Sequence, residues 1–115
     1  MRKTVYAPDY KEKLIRLRNN LDAEYGRNVR LKIFSEINQR IQRLKEYPFL
    51  GTSVRAIYGI DCDYYFIHIS KNVIFYDVED KQISILNMYN EREDYLIKFL
   101  GNMAKMHEEE TQFSC

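Results

Sequence analysis

Arg55, His68, Arg92 and Tyr95 are the side chains of this chain best suited to act on a phosphate ester or a nucleobase. Histidine titrates near ~6.5, so His68 can give or take a proton at neutral pH. Arginine forks hold phosphate oxygens in pairs, a task open to Arg55 and Arg92. The Tyr95 ring offers a flat face on which a base can stack. Plainer readings stand beside these. Alternation along "DYYFIHIS" is enough to place His68 on the polar side of a strand. Arg92 can pair with Asp94 or with a carboxylate of the sheet, and such surface pairs are common and weak.

Arg92 stands in "NERED", Asn90 to Asp94, between a β-like run and a helical pattern. Asn90 is placed to cap a helix, and Glu93 three residues later completes a reciprocal capping box. Glu91, Glu93 and Asp94 then fall in a first turn, where the helix dipole favours negative charge. Tyr95, Leu96, Phe99 and Leu100 pack that helix back, and Gly101 closes it. Met103 and Met106 continue the apolar spacing from Phe99, so an extension of the helix stays open. Residues 1–101 thus form one folded domain and 102–115 a polar, flexible C-terminal tail.

Upstream, "KTVYA" reads as a short strand. "PDYKEKLIRLRNNLDAEYG" reads as a helix capped by Asp9, with Tyr10, Leu14, Leu17, Leu21 and Tyr25 on one stripe. Gly26 ends it. A second helix runs from about Asn28 to Tyr47 with Ile33, Ile37, Ile41 and Leu44 inward, and Pro48 stops it. So short a connection makes an antiparallel helical hairpin. Its outer face carries Arg27, Arg30, Lys32, Arg40 and Arg43. The period then changes from helical to alternating through "SVRAIYG", "DYYFIHIS", "NVIFYDV" and "ISILNMY", an antiparallel meander. The fold class that follows is α+β: an N-terminal helical hairpin packed on an antiparallel β-sheet, with a C-terminal helix. The hairpin covers one side of the sheet and leaves the other open to a macromolecule. Tyr64, Tyr65, Tyr76 and Tyr89 belong to sheet packing.

With 115 residues, 45% hydrophobic and 30% charged, the chain is a single globular domain. No apolar run approaches the ~20 residues of a membrane span, and "MRKTVYAPDY" lacks the apolar stretch of a secretory signal, so neither is expected. The net charge of +1 conceals an asymmetry, since residues 1–60 carry 13 Lys and Arg against 6 Asp and Glu. A basic half suits an acidic partner, either a nucleic acid or an acidic protein segment. Cys62, His68, His107 and Cys115 have no metal-ligand spacing, and no glycine-rich phosphate loop is present. No metal, cofactor or small-molecule substrate is expected, and two distant cysteines suit a reducing cytoplasm.

The opening "VYAPDYKEKL", the hairpin end "LKEYPFLG" and the run "NVIFYDVEDKQISILNMYNERED" resemble the RelE/ParE superfamily of bacterial type II toxins, over about Val5 to Gly101. The family closes with an aromatic-x-V/I strand, an acidic turn, an I-x-I strand and an R-x-D segment. Here these are "IFYDV", "ED", "ISIL" and "NERED". The resemblance implies a compact toxin restrained by a co-encoded antitoxin whose flexible segment wraps it. One branch cuts messenger RNA on the ribosome without a metal; the ParE-like branch acts against DNA gyrase.

Metal-free RNA cleavage must deprotonate a 2′-hydroxyl, stabilise the developing phosphorane charge and protonate the leaving oxygen. Ribonucleolytic relatives carry basic residues in patterns like Y-R-x-R and R-V-I-Y. This sequence has "YFIH" and "VIFY", so Phe66 and Val73 stand where cations are expected, and Asn90 replaces a histidine. The expected function is therefore a ParE-like toxin that inhibits growth by binding a target such as DNA gyrase. Two alternatives stand beside it: a ribosome-dependent endoribonuclease with a site rearranged around Arg55, His68, Arg92 and Tyr95, and a degenerate, non-toxic binding module.

Overall fold

The computed structural model describes residues 2–110, the side chains of 106–110 excepted. In chain order the elements are β1 (Lys3–Tyr6), α1 (Pro8–Tyr25), α2 (Arg27–Glu46), β2 (Thr52–Ser53), α3 (Val54–Tyr58), β3 (Tyr64–Ile69), β4 (Asn72–Val78), β5 (Gln82–Asn90) and α4 (Tyr95–Glu110). The strands form one sheet in the order β1-β5-β4-β3-β2. Strands β2 to β5 pair antiparallel as the meander predicted, while β1 joins β5 in parallel and makes the sheet mixed.

The helical hairpin forms where the apolar periods placed it. Gly26, at φ 89°, is the whole connection: it caps α1 and immediately precedes α2. Only glycine takes that backbone region without penalty. At the start of α1, Ala7 is the cap and Pro8 the first helical residue. Asp9 makes no capping bond, contrary to expectation. Tyr10, Ile37, Ile41 and Leu44 meet Ile67, Ile69, Ile74, Tyr76, Ile83, Ile85 and Met88 in a core between hairpin and sheet. Tyr25, expected on the same stripe, is instead exposed.

The expectation that the other sheet face lies open is overturned. Val54, Phe66, Val73, Phe75, Tyr89, Phe99 and Met103 form a second core on that side. Phe99 of α4 stacks on Phe75 of β4 with ring centroids 4.0 Å apart and planes 6° from parallel. Strand β4 explains why both faces must be covered. Residues Asn72–Tyr76 are all buried, with Ile74 and Tyr76 facing the hairpin and Val73 and Phe75 facing α4. A strand apolar on both sides requires a layer on each side.

A bulge in β5 lets that strand serve both layers. Phe75 pairs with Asn87 but Tyr76 pairs with Ile85, so Leu86 is the extra residue. It reverses the alternation, and Met88 joins Ile83 and Ile85 while Tyr89 turns toward α4. Strand β1 pairs only with residues 82–85 of β5, and Lys13 of α1 closes the edge beyond. Its ammonium donates to the Met88 carbonyl at 2.9 Å and lies 3.6 Å from the Tyr89 ring centroid. A lysine on such an edge blocks pairing with another strand. The Tyr89 hydroxyl in turn accepts from Asn87 and from Asn102 of α4, each at 3.0 Å. The two helical layers are thereby tied together around one rim.

Two further expectations are corrected. "SVRAIYG" is not a strand: after the two-residue β2 it becomes α3, because the Ser53 hydroxyl accepts from the Ala56 amide and Gly59 ends the turn at φ 70°. Gly101 does not close the last helix, since α4 continues through it to Glu110. Met103, on the extension that the sequence left open, is buried. Of the expected tail, residues 111–115 lie outside the described residues, as do the side chains of Met106 and His107.

Truncating Phe99 to Ala should lower unfolding stability by about 3–5 kcal/mol in a urea titration, because it opens a cavity against Phe75. Gly51→Ala should also destabilise, by about 1–3 kcal/mol. The added Cβ would stand 2.6 Å from the Tyr76 hydroxyl and 2.7 Å from the Phe66 carbonyl. That hydroxyl holds the corner by donating to the Pro48 carbonyl at 2.9 Å and accepting from the Gly51 amide at 3.0 Å.

Candidate functional site

The four residues singled out for chemistry occupy three settings. Arg55, on α3, spends its guanidinium on the following loop: Nη1 reaches Asp61 at 2.5 Å and Nη2 reaches Asp63 at 3.0 Å. The hydrogen bond to Asp63, followed by that to Asp61, holds its pKa above the ordinary arginine value. A fork already filled by two carboxylates is not poised for phosphate. It fastens the Asp61–Asp63 loop to α3.

His68 and Tyr95 do come together. The His68 ring is exposed on β3, 6.0 Å from the Tyr95 ring in an edge-on arrangement and 6.1 Å from Phe66. Tyr95 opens α4 and also packs on Phe66 and Phe75. Burial, with the neighbouring Tyr58 hydroxyl next, raises its pKa. The imidazole makes no hydrogen bond within the described residues. A catalytic histidine is ordinarily oriented by a second polar group.

"NERED" keeps the predicted capping chemistry but uses it in a turn ahead of the helix. The Asn90 amide donates to the Glu93 carboxylate at 2.8 Å, and Asn90 Oδ1 accepts from the Arg92 amide at 2.9 Å. The Glu91 amide donates to the Lys71 carbonyl at 2.8 Å, tying this turn to the β3–β4 turn. Helix α4 begins only at Tyr95, where the Asp94 carbonyl accepts its first bond from Lys98. Arg92 is exposed, and its side chain forms no ion pair with Asp94 or any other described residue. No hydrogen bond or ion pair among the described residues joins Arg55 or Arg92 to the His68–Tyr95 pair.

The positions where strand cations are expected for RNA cleavage lie under α4. Phe66 and Val73 are buried in the second core, Val73 completely. A charge there would be costly without a partner. What the surface offers instead is apolar: Tyr47, Phe49, Leu50, Ile57 and Tyr58 are all exposed, with Phe49 and Ile57 at 61%. Phe49 packs on Tyr65 at 5.5 Å, and Tyr58 on Phe66 at 6.5 Å, which in turn touches His68 and Tyr95. These exposed residues flank the edge strand β2 as an aromatic rim, the Phe49–Tyr65 pair on the hairpin side of β3 and the Tyr58–Phe66 group on the α4 side. The signal was present in "YPFLG", where large apolar residues fall in a Pro-Gly turn that neither helix nor strand periodicity buries.

The sequence matches the family model for the ParE toxin of the type II toxin–antitoxin system parDE over residues 5–95. The chain belongs to the ParE toxin family. It is therefore the toxin component of a type II toxin–antitoxin system. The fold is similar to that of a chain in the solved structure of the chromosomal ParDE TA system from P. aeruginosa, with a TM-score of 0.64 at 14% identity, covering 78% of this chain and 96% of that one. No curated protein matches the sequence.

Lys98, through its side-chain hydrogen bond, holds the Glu93 carboxyl below the ordinary carboxylate range. A depressed folded-state pKa stabilises the fold above the unfolded value, and that contribution disappears as pH falls through the folded value. The wild type should therefore lose more stability than Glu93→Gln on acidification through the carboxylate range, measured by urea midpoints across pH. Equal losses in both proteins would show that this turn contributes nothing.

Proposed function

We propose that this ParE-family toxin arrests bacterial growth in the cytoplasm by binding a macromolecular target such as DNA gyrase, and that a cognate antitoxin restrains it. The observation carrying this reading is the second sheet face, filled by Phe99 and Met103 where a nuclease of this superfamily needs cations. Catalysis on RNA requires preorganised charge at the developing phosphorane. Here Arg55 is neutralised by two aspartates and His68 lacks an orienting partner. Recognition of a protein, by contrast, relies on a few exposed aromatic and aliphatic anchors. The rim from Tyr47 to Tyr58 supplies them. Among the described residues no helix is long and apolar enough to cross a membrane.

One observation favours the ribosome-dependent endoribonuclease instead: an exposed histidine stands beside a tyrosine near the unpaired Arg92 turn. Expression without the antitoxin separates the two. The binding reading expects growth arrest with a DNA-damage response and intact transcripts. Messenger RNA cut at ribosomal A sites would reject it, and harmless accumulation of folded protein would indicate a degenerate module.

Substitutions at the rim provide a residue-level check. Ile57→Asp or Phe49→Asp should weaken target binding by about tenfold or more, equivalent to about 1.4 kcal/mol, and relieve toxicity accordingly. His68→Gln and Arg92→Ala should remain toxic. Loss of toxicity in those two variants, with folding intact by circular dichroism, would return the activity to the His68–Arg92 region.

A further inference from the structure

Helix α3 carries two of the rim's apolar side chains and is itself a slight element. It spans five residues, Val54–Tyr58, far short of the roughly 12–15 that an isolated helix needs in water. Ile57 and Tyr58 are both exposed on it, so their own burial does little to fix them. The shape of α3 comes from what holds its ends. The Ser53 hydroxyl caps the start, Val54 is wholly buried in the second core, and the Gly59 amide donates to the Arg55 carbonyl at 2.9 Å. The loop that follows rests Ile60 and Cys62 on the same core.

Arg55 ties α3 to that loop. Its guanidinium reaches Asp61 at 2.5 Å and Asp63 at 3.0 Å, six and eight positions on, and both bridged spans contain Ile57, Tyr58 and Gly59. The aspartate side chains are 92% and 88% exposed, so these pairs add little to global stability and act locally. Asp61, Asp63 and Asp77 line one cleft of about 370 Å3 with Arg55. Among the described residues that line it, Arg55 is the only cation. Burial first, with Glu79 and Asp63 adding to it, already raises the Asp77 carboxyl above its ordinary value. Without the guanidinium, like charges would crowd the loop and α3 would lose its tie. A planar fork serves two carboxylates at once, which the point charge of a lysine does less well.

We propose that Arg55 is a positioning residue of the target-binding surface: its bridge to Asp61 and Asp63 keeps α3 in the shape that presents Ile57 and Tyr58 together. The assignment rests on the reading of the rim as that surface, and it differs measurably from a direct contact. A preset side chain is met in its binding shape, so losing the bridge lowers the competent fraction and slows association. Losing a contact instead speeds dissociation.

The test follows binding of the full toxin chain to purified DNA gyrase in real time. Arg55→Gln should lower the association rate by about three- to tenfold while dissociation and the urea midpoint stay at wild-type values. The pair Asp61→Asn and Asp63→Asn, made together, should do the same although it leaves the guanidinium free. Adding Arg55→Gln to that pair should cost nothing further, because all three changes break one bridge. Arg55→Lys should restore only part of the rate, and Ile57→Asp should act mainly on dissociation. Unchanged or tighter binding in the aspartate pair, with a loss in Arg55→Gln, would make Arg55 a direct contact and overturn the proposal. Wild-type rates in Arg55→Gln would overturn it too, leaving the rim in place where Ile57→Asp still binds poorly. Unchanged binding in Ile57→Asp, or no binding by the wild type, would remove the rim reading and this assignment with it.

Discussion

The burial of β4 on both faces is the constraint from which the architecture follows. Five consecutive residues, Asn72–Tyr76, lie inside the protein, and their side chains alternate between two cores. Each face must be kept from water, and burying one aliphatic or aromatic side chain contributes about 1.5–3 kcal/mol. The hairpin α1–α2 meets this need on one side and α4, helped by α3, on the other. The stacked Phe75 and Phe99 rings are where the second layer closes. The β5 bulge at Leu86 and the Lys13–Tyr89–Asn102 chain of contacts join the two layers around a common rim.

Filling both faces decides where function can reside. The sheet face under α4 carries a packed apolar layer in which Phe66 and Val73 are buried, and the exposed apolar side chains lie at the periphery. At one end exposed aromatics gather around β2 and α3. At the other, the hairpin's connection and the β3–β4 turn frame a cleft of mixed polar and apolar lining. Neither Arg55 nor Arg92 is drawn to the His68–Tyr95 pair, and Arg55 is engaged by the aspartates of its own loop. Superfamily membership therefore fixes the scaffold and its biological setting, whereas the chemistry must come from these local surfaces.

Much of this was legible in the chain. The apolar periods of α1 and α2 located the hairpin, Gly26 and Pro48 marked its limits, and the order of motifs from "VYAPDYKEKL" to "NERED" identified the superfamily. The misreadings have physical causes. "SVRAIYG" alternates like a strand, but five residues are too few to distinguish the periods, and a Ser53 cap with a left-handed Gly59 turns it into a helix. Gly101 carries a helix-breaking tendency of only about 1 kcal/mol, which the burial of Phe99 and Met103 on either side outweighs. The run Val73–Tyr76 is continuous rather than alternating, which signals burial on both faces. Read as a one-sided strand, it hid the second core.

By itself the sequence determined most of the element types, the hairpin, the antiparallel pairing of the later strands and the superfamily, because these depend on local periodicity, caps and turns within a few residues. Only the tertiary structure decided that β1 runs parallel to β5 and that α4 closes the second face. Each of those depends on contacts between residues distant in the chain, where burial and pairing are set by the whole packing rather than by any neighbour in sequence.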